Sequence, residues 1–91
     1  MPPRRDDAEP TIDLHGLFVA EAVKRTHRFL LAEQARGTVA VRIITGHGTG
    51  AVKGAIRELL TGHPSVASHR PSLGTDAATV VVLRAPTSRA R

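Results

Sequence analysis

Two rhythms of apolar and polar residues alternate along this chain. In Thr11 to His15 the period is two: Ile12 and Leu14 alternate with Asp13 and His15, which predicts a short strand whose polar side chains share a face. From about Val19 to Ala35 the period lengthens to that of a helix. Ala22, Val23, Thr26, Phe29, Leu30 and Glu33 fall on one stripe, while Lys24, Arg25, His27 and Arg28 lie off it. Glu21 suits the first turn of that helix, and Gly37 after Arg36 stops it. Val39, Val41 and Ile43 then alternate with Ala40, Arg42 and Ile44, predicting a strand buried on at least one face. A second amphipathic helix follows from Ala51 to Leu60, ended by Gly62 before His63-Pro64. Two extended segments, Ser65 to His69 and Thr79 to Arg84, flank a stretch from Arg70 to Ala78 whose Pro71, Gly74 and Asp76 read as a mobile surface loop. The order β-α-β-α-β-β predicts an α/β domain, a mixed sheet covered by two helices.

Between the second strand and the second helix stands Thr45-Gly46-His47-Gly48-Thr49-Gly50. Glycines at alternating positions allow a tight turn with positive φ, and the helix that follows points its first N–H groups and the positive end of its dipole into the loop. That geometry favours an anion. Lys53 in the first helical turn is unfavourable on dipole grounds and becomes sensible if an anion is bound there. Nucleotide motifs fail on spacing. A P-loop starting at Gly46 would need glycine where Ala51 stands, and a dinucleotide fingerprint would put its third glycine on Ala51 or Lys53. Asp13 and His15, roughly 6.6 Å apart along a strand at about 3.3 Å per residue, can converge on one bound group. Taken alone, an Asp-x-His more often marks the solvated face of an edge strand. His15, His47 and Asp13 are also conceivable zinc ligands, but no helical His pair or dense ligand cluster supports such a site.

Composition narrows the partner. With 91 residues and 41% apolar content the chain is one small globular domain, read as residues 11–85 between flexible tails 1–10 and 86–91. The absence of cysteine removes disulfides and thiolate chemistry, and no apolar run is long enough for a membrane span or a secretion signal, so a cytoplasmic protein is expected. Residues 11–85 hold nine Lys and Arg against five Asp and Glu, within a net charge of +5. A basic surface of that size raises the expectation of a polyanionic partner, although a merely solvated face has the same composition. Two aromatics, Phe18 and Phe29, are too few for the base-stacking sheet of an RRM or an OB-fold.

Ile12-Asp13-Leu14-His15-Gly16 with Glu21-Ala22 downstream, then Val41 to Gly50 and the closing Thr79-Val80-Val81-Val82-Leu83, resemble the Smr (small MutS-related) domain. The first block is similar to its Leu-Asp-Leu-His-Gly motif and the second to its Thr-Gly-x-Gly motif. The extended Gly-Thr-Gly is most similar to the form at the C-terminus of the second bacterial MutS paralogue. Ile12 replaces the usual Leu, and Lys53 stands where Arg is frequent. The MutS ATPase and clamp regions are absent from this sequence.

The resemblance implies a two-layer α/β sandwich similar to the C-terminal domain of the third translation initiation factor. It also implies binding to DNA or RNA, with endonuclease activity in many members. Carried onto this chain, it makes Asp13 and His15 the catalytic candidates and sets substrate binding at Gly46, His47 and Gly48. The residues themselves add His47 as a second acid–base candidate, Thr49 and Gly50 to the loop that would hold the phosphate, and Lys53 and Arg42 to offset its charge. Asp13 and His15 would also be the ligands if a Mg or Mn ion takes part. No nucleotide cofactor is expected. The alternatives are a non-catalytic module that recognises branched or structured nucleic acid, and a ribosome-associated interaction domain in which the loop is only a turn.

Overall fold

The computed structural model describes residues 9–46, 50–75 and 77–85. Its elements run β1 (Thr11–Asp13), α1 (Val19–Ala35), β2 (Ala40–Ile44), α2 (Ala51–Gly62), β3 (Val66–Pro71) and β4 (Ala78–Leu83). Of the expected tails 1–10 and 86–91, residues 1–8 and 86–91 lie outside the described residues, as do His47, Gly48, Thr49 and Asp76.

The four strands form one mixed sheet in the order β1-β2-β4-β3. β1 and β2 are parallel, with Ile12 opposite Ile43 and Asp13 opposite Ile44. Parallel neighbours need a crossover, and α1 supplies it. β4 runs antiparallel to both β2 and β3. Strand periodicity then sorts the side chains. Val41 and Ile43 of β2 are fully buried and join Val81 and Leu83 of β4 in one core with Ala22 and Leu30 of α1 and Ile56 and Leu60 of α2. Burying each of the larger side chains contributes about 1.5–3 kcal/mol before entropy is subtracted. The predicted mixed sheet and pair of helices are therefore the observed architecture.

Several boundaries move by one or two residues, among them the ends of β1, α2 and β3. β1 ends at Asp13 rather than His15. After the Leu14 N–H donates to the Ile44 carbonyl at 2.7 Å, the chain turns, with Leu17 N–H donating back to the Leu14 carbonyl and Gly16 at φ +80°. α2 runs on past Leu60 to Gly62. β3 extends beyond His69, because Arg70 pairs with Val80 and Pro71 with Thr79. Proline is tolerated there since β3 is an edge strand whose outward N–H positions need no partner. Arg70 and Pro71 thus belong to the sheet, and the loop shortens to residues 72–77, held by Ser72 N–H to the Ala78 carbonyl and Ala77 N–H to Thr75 Oγ1.

Candidate nucleic-acid interface

Because β1 and β2 are parallel, both end on the same edge of the sheet, where the N-terminus of α2 also arrives. A cleft of about 590 Å³ opens at this edge. His15, Gly16 and Leu17 line it after β1, Thr45 and Gly46 after β2, Val52 and Lys53 from the start of α2, and Ala77 from the turn before β4.

The two motif segments touch. A Cβ added to Gly46 would lie 3.2 Å from the Cβ of His15, and Gly46 has φ +81°. Only glycine satisfies both the close approach and the left-handed backbone. The segment is tied from a third direction as well: the N–H groups of Thr45 and Gly46 donate to the Ala77 carbonyl at 2.7 and 3.0 Å, and the Thr45 hydroxyl donates to the same oxygen at 3.2 Å. The Gly46 amide is thereby spent on the fold, and its part in the site is to leave room. Gly50, at φ +95°, is the N-cap of α2, and with Val52 and Lys53 it brings the first turn of the helix, the positive end of its dipole, to the cleft.

Asp13 and His15 form a pair. Asp13 Oδ1 lies 2.7 Å from His15 Nδ1 and also accepts the His15 backbone N–H at 3.0 Å. The side-chain hydrogen bond first, and the backbone one next, hold the Asp13 carboxyl below its ordinary pKa. A carboxylate only accepts, so Nδ1 carries the shared hydrogen and the neutral ring keeps Nε2 unprotonated as a base. Both side chains are exposed, His15 at 72% and Asp13 at 50%, so solvent or a large substrate reaches them directly.

Arg42 stands apart from this group. It points to solvent on β2, where its guanidinium lies 3.5 Å from Glu9 Oε1, and it does not line the cleft. His47, Gly48 and Thr49 are outside the described residues. Sequence reasoning did not single out Ala77 or Leu17. Ala77 carries no local signal, since its role rests on a backbone carbonyl that arrives from 31 residues further along the chain. Among the described residues no three His, Asp or Glu side chains gather to hold a metal ion. Magnesium and manganese favour oxygen ligands, keep several waters and are held by one or two carboxylates with substrate phosphate. Asp13, whose Oδ1 is engaged by His15, is the carboxylate that would hold such an ion here.

The family model of the Smr domain matches residues 12–84. The chain belongs to the Smr domain family. Endonuclease MutS2 of Symbiobacterium thermophilum is 41% identical over 81 residues, which cover 86% of this chain and 10% of that protein. Endonuclease MutS2 of Thermus thermophilus is also 41% identical, over 85 residues covering 90% and 11%. The chain thus spans about a tenth of the length of these relatives. Among solved structures, the Smr domain of Thermus thermophilus MutS2 superposes with a TM-score of 0.80 at 38% identity, covering 82% of this chain and 98% of that one. YdaL, a stand-alone small MutS-related protein from Escherichia coli, superposes with a TM-score of 0.76 at 26% identity, covering 81% and 63%. Both Smr motif segments contribute to the cleft, the first through His15 and Gly16 and the second through Thr45, Gly46 and Gly50. No helix among the described residues is long and apolar enough to cross a membrane.

Proposed function

We propose that this Smr domain binds a phosphodiester of DNA or RNA in the cleft and hydrolyses it with little regard to sequence. The observation that carries the reading is the contact between the two motif segments: His15, hydrogen-bonded to Asp13, lies against Gly46 and lines the cleft with the N-terminus of α2. The endonuclease name of the related MutS2 proteins supports it.

The phosphate would rest at the first turn of α2, with the helix dipole and Lys53 offsetting its charge. Asp13 fixes the tautomer of His15, and Nε2 takes a proton from the attacking water. The water oxygen forms the new bond to phosphorus as the bond to the leaving alcohol breaks. The departing alkoxide takes its proton from solvent, and the imidazolium returns its own to bulk water. Base catalysis of this kind is worth about 10²–10⁴ in rate.

The test is cleavage of end-labelled branched DNA, single-stranded DNA and RNA by the wild type and by Asp13→Ala and His15→Ala. Loss of cleavage with retained binding is expected in both variants. Undiminished cleavage in both would sink the assignment. Tight, salt-sensitive binding by a wild type that never cuts would leave a binding module in its place.

A further inference from the structure

A second, smaller cavity of about 150 Å³ adjoins the cleft on the far side of Lys53, which lines both. Lys53, Arg57 and Leu60 border it from α2, and His69, Arg70 and Pro71 from the edge strand β3, with Thr79 of β4 between. The three α2 residues fall at the i, i+4, i+7 spacing of one helix stripe. The stripe that carries α2's contact with β3 is thus apolar at Leu60 and cationic towards the cleft.

Two of the cations in this lining, Arg57 and Arg70, belong to different elements. No carboxylate lies within ion-pair distance of Arg57 or Arg70 among the described residues. The one acidic residue on α2, Glu58, follows Arg57 directly and so is turned about 100° around the helix. A hydroxyl from Thr79 and an imidazole from His69 complete a lining suited to an oxyanion.

We propose that this cavity binds a second phosphate of the same nucleic-acid strand, one or two nucleotides from the phosphodiester in the cleft. Resting on the functional reading above, the inference gives the strand a direction across the domain, from His15 past Lys53 towards β3. The helix rises roughly 6 Å from Lys53 to Arg57, at about 1.5 Å per residue. That step matches one to two nucleotides of a stacked strand at about 3.4 Å each.

Two ligands test it by NMR titration of the full chain: a single-stranded 12-mer, and a dinucleoside monophosphate carrying one phosphodiester. The 12-mer is expected to shift the amides of both the cleft and Arg57, His69 and Thr79, the dinucleotide those of the cleft alone. In parallel, Arg57→Gln should lower the slope of log affinity against log salt by about 0.7 for the 12-mer. Arg57→Gln/Arg70→Gln should lower it at least as far, Arg57→Lys should restore it, and Arg36→Gln, at the far end of α1, should leave it unchanged. If the 12-mer shifts the cleft but not Arg57, His69 and Thr79, and Arg57→Gln keeps the wild-type slope, the second subsite is wrong and the cleft reading stands. If the 12-mer leaves the cleft itself unshifted, both fall.

Discussion

Gly46 passes so close to His15 that a single added methyl group would sit 3.2 Å from the His15 Cβ. The backbone there is also left-handed, at φ +81°, a conformation that costs an L side chain roughly 1–2 kcal/mol. Gly46→Ala is therefore expected to lower stability by about that amount and to push His15 off its bond with Asp13. Urea denaturation reads the first effect, and single-turnover cleavage with direct binding reads the second. Cleavage should fall more than binding, because the displaced group is the base rather than the phosphate cradle. Equal losses in the two would mean that Gly46 acts on the fold alone.

The Asp13–His15 pair gives a sharper test than deletion. Asp13→Asn keeps the shape but can present an N–H to Nδ1, which favours the tautomer with its hydrogen on Nε2 and so removes the base. Cleavage should drop roughly a hundredfold or more while affinity holds. Asp13→Glu, which can restore a carboxylate acceptor, should recover part of the rate. An Asn variant as active as wild type would show that the pair orients nothing.

Much of this site was legible because its signals are local. The two-residue period of Ile12 to His15, the helical stripe of α1 and the glycines after Ile44 each declare an element within a few residues. The helix at Val19–Ala35 has the expected bounds for that reason. What stayed hidden depends on partners distant in sequence. Nothing near Gly46 indicates that its N–H is claimed by Ala77, or that Arg42 faces Glu9 rather than the cleft. The strand character of Arg70 and Pro71 comes only from pairing with β4, which overrides the breaker signal of the proline. His63 read as the residue after a helix stop. It is 6% exposed, and its ring lies 2.9 Å from that of His27, 36 residues earlier.

Thr26 is buried at 0% exposure on α1, and its hydroxyl has no hydrogen-bond partner among the described residues. A buried hydroxyl without a partner costs about 1–3 kcal/mol in lost hydration. Thr26→Val keeps the shape and removes that group, so stability should rise by about 1 kcal/mol. A rise in the urea midpoint at unchanged m-value would confirm it, and a fall would mean that the hydroxyl is satisfied in solution.

Phe18 occupies the N-cap of α1 with extended backbone, φ −71° and ψ 157°, yet offers no side-chain hydrogen bond to the helix. It is 88% exposed, so its ring adds little burial. Phe18→Ser or Phe18→Asp would supply the missing acceptor to the first turn, and Asp would also complement the dipole. A gain of about 0.5–1 kcal/mol in denaturation is expected. No gain in either variant would show that the first turn is already capped by other means.

The His27–His63 pair should make stability fall in mild acid. His63 Nδ1 accepts the Ser65 backbone N–H at 3.0 Å, so its hydrogen sits on Nε2 and is shared with His27 Nδ1. Burial first, and the neighbouring His27 second, hold the His63 pKa below its ordinary value of 6.5. The folded chain then binds fewer protons than the unfolded chain wherever the pH lies between the lowered value and 6.5. Stability is complete above about pH 6.5 and is lost as the pH falls through that window. Asp13 and Glu21, whose pKa values are also lowered, from 3.8 and 4.5, contribute only in stronger acid. Denaturation curves between pH 5 and 8 should therefore show a decline set mainly by His63. In His27→Gln the amide oxygen can still accept from Nε2 but the second ring is gone, so the decline should be shallower without vanishing, since burial remains. A wild-type curve flat from pH 8 to 5 would mean that the His63 ring takes up its proton inside the fold without penalty.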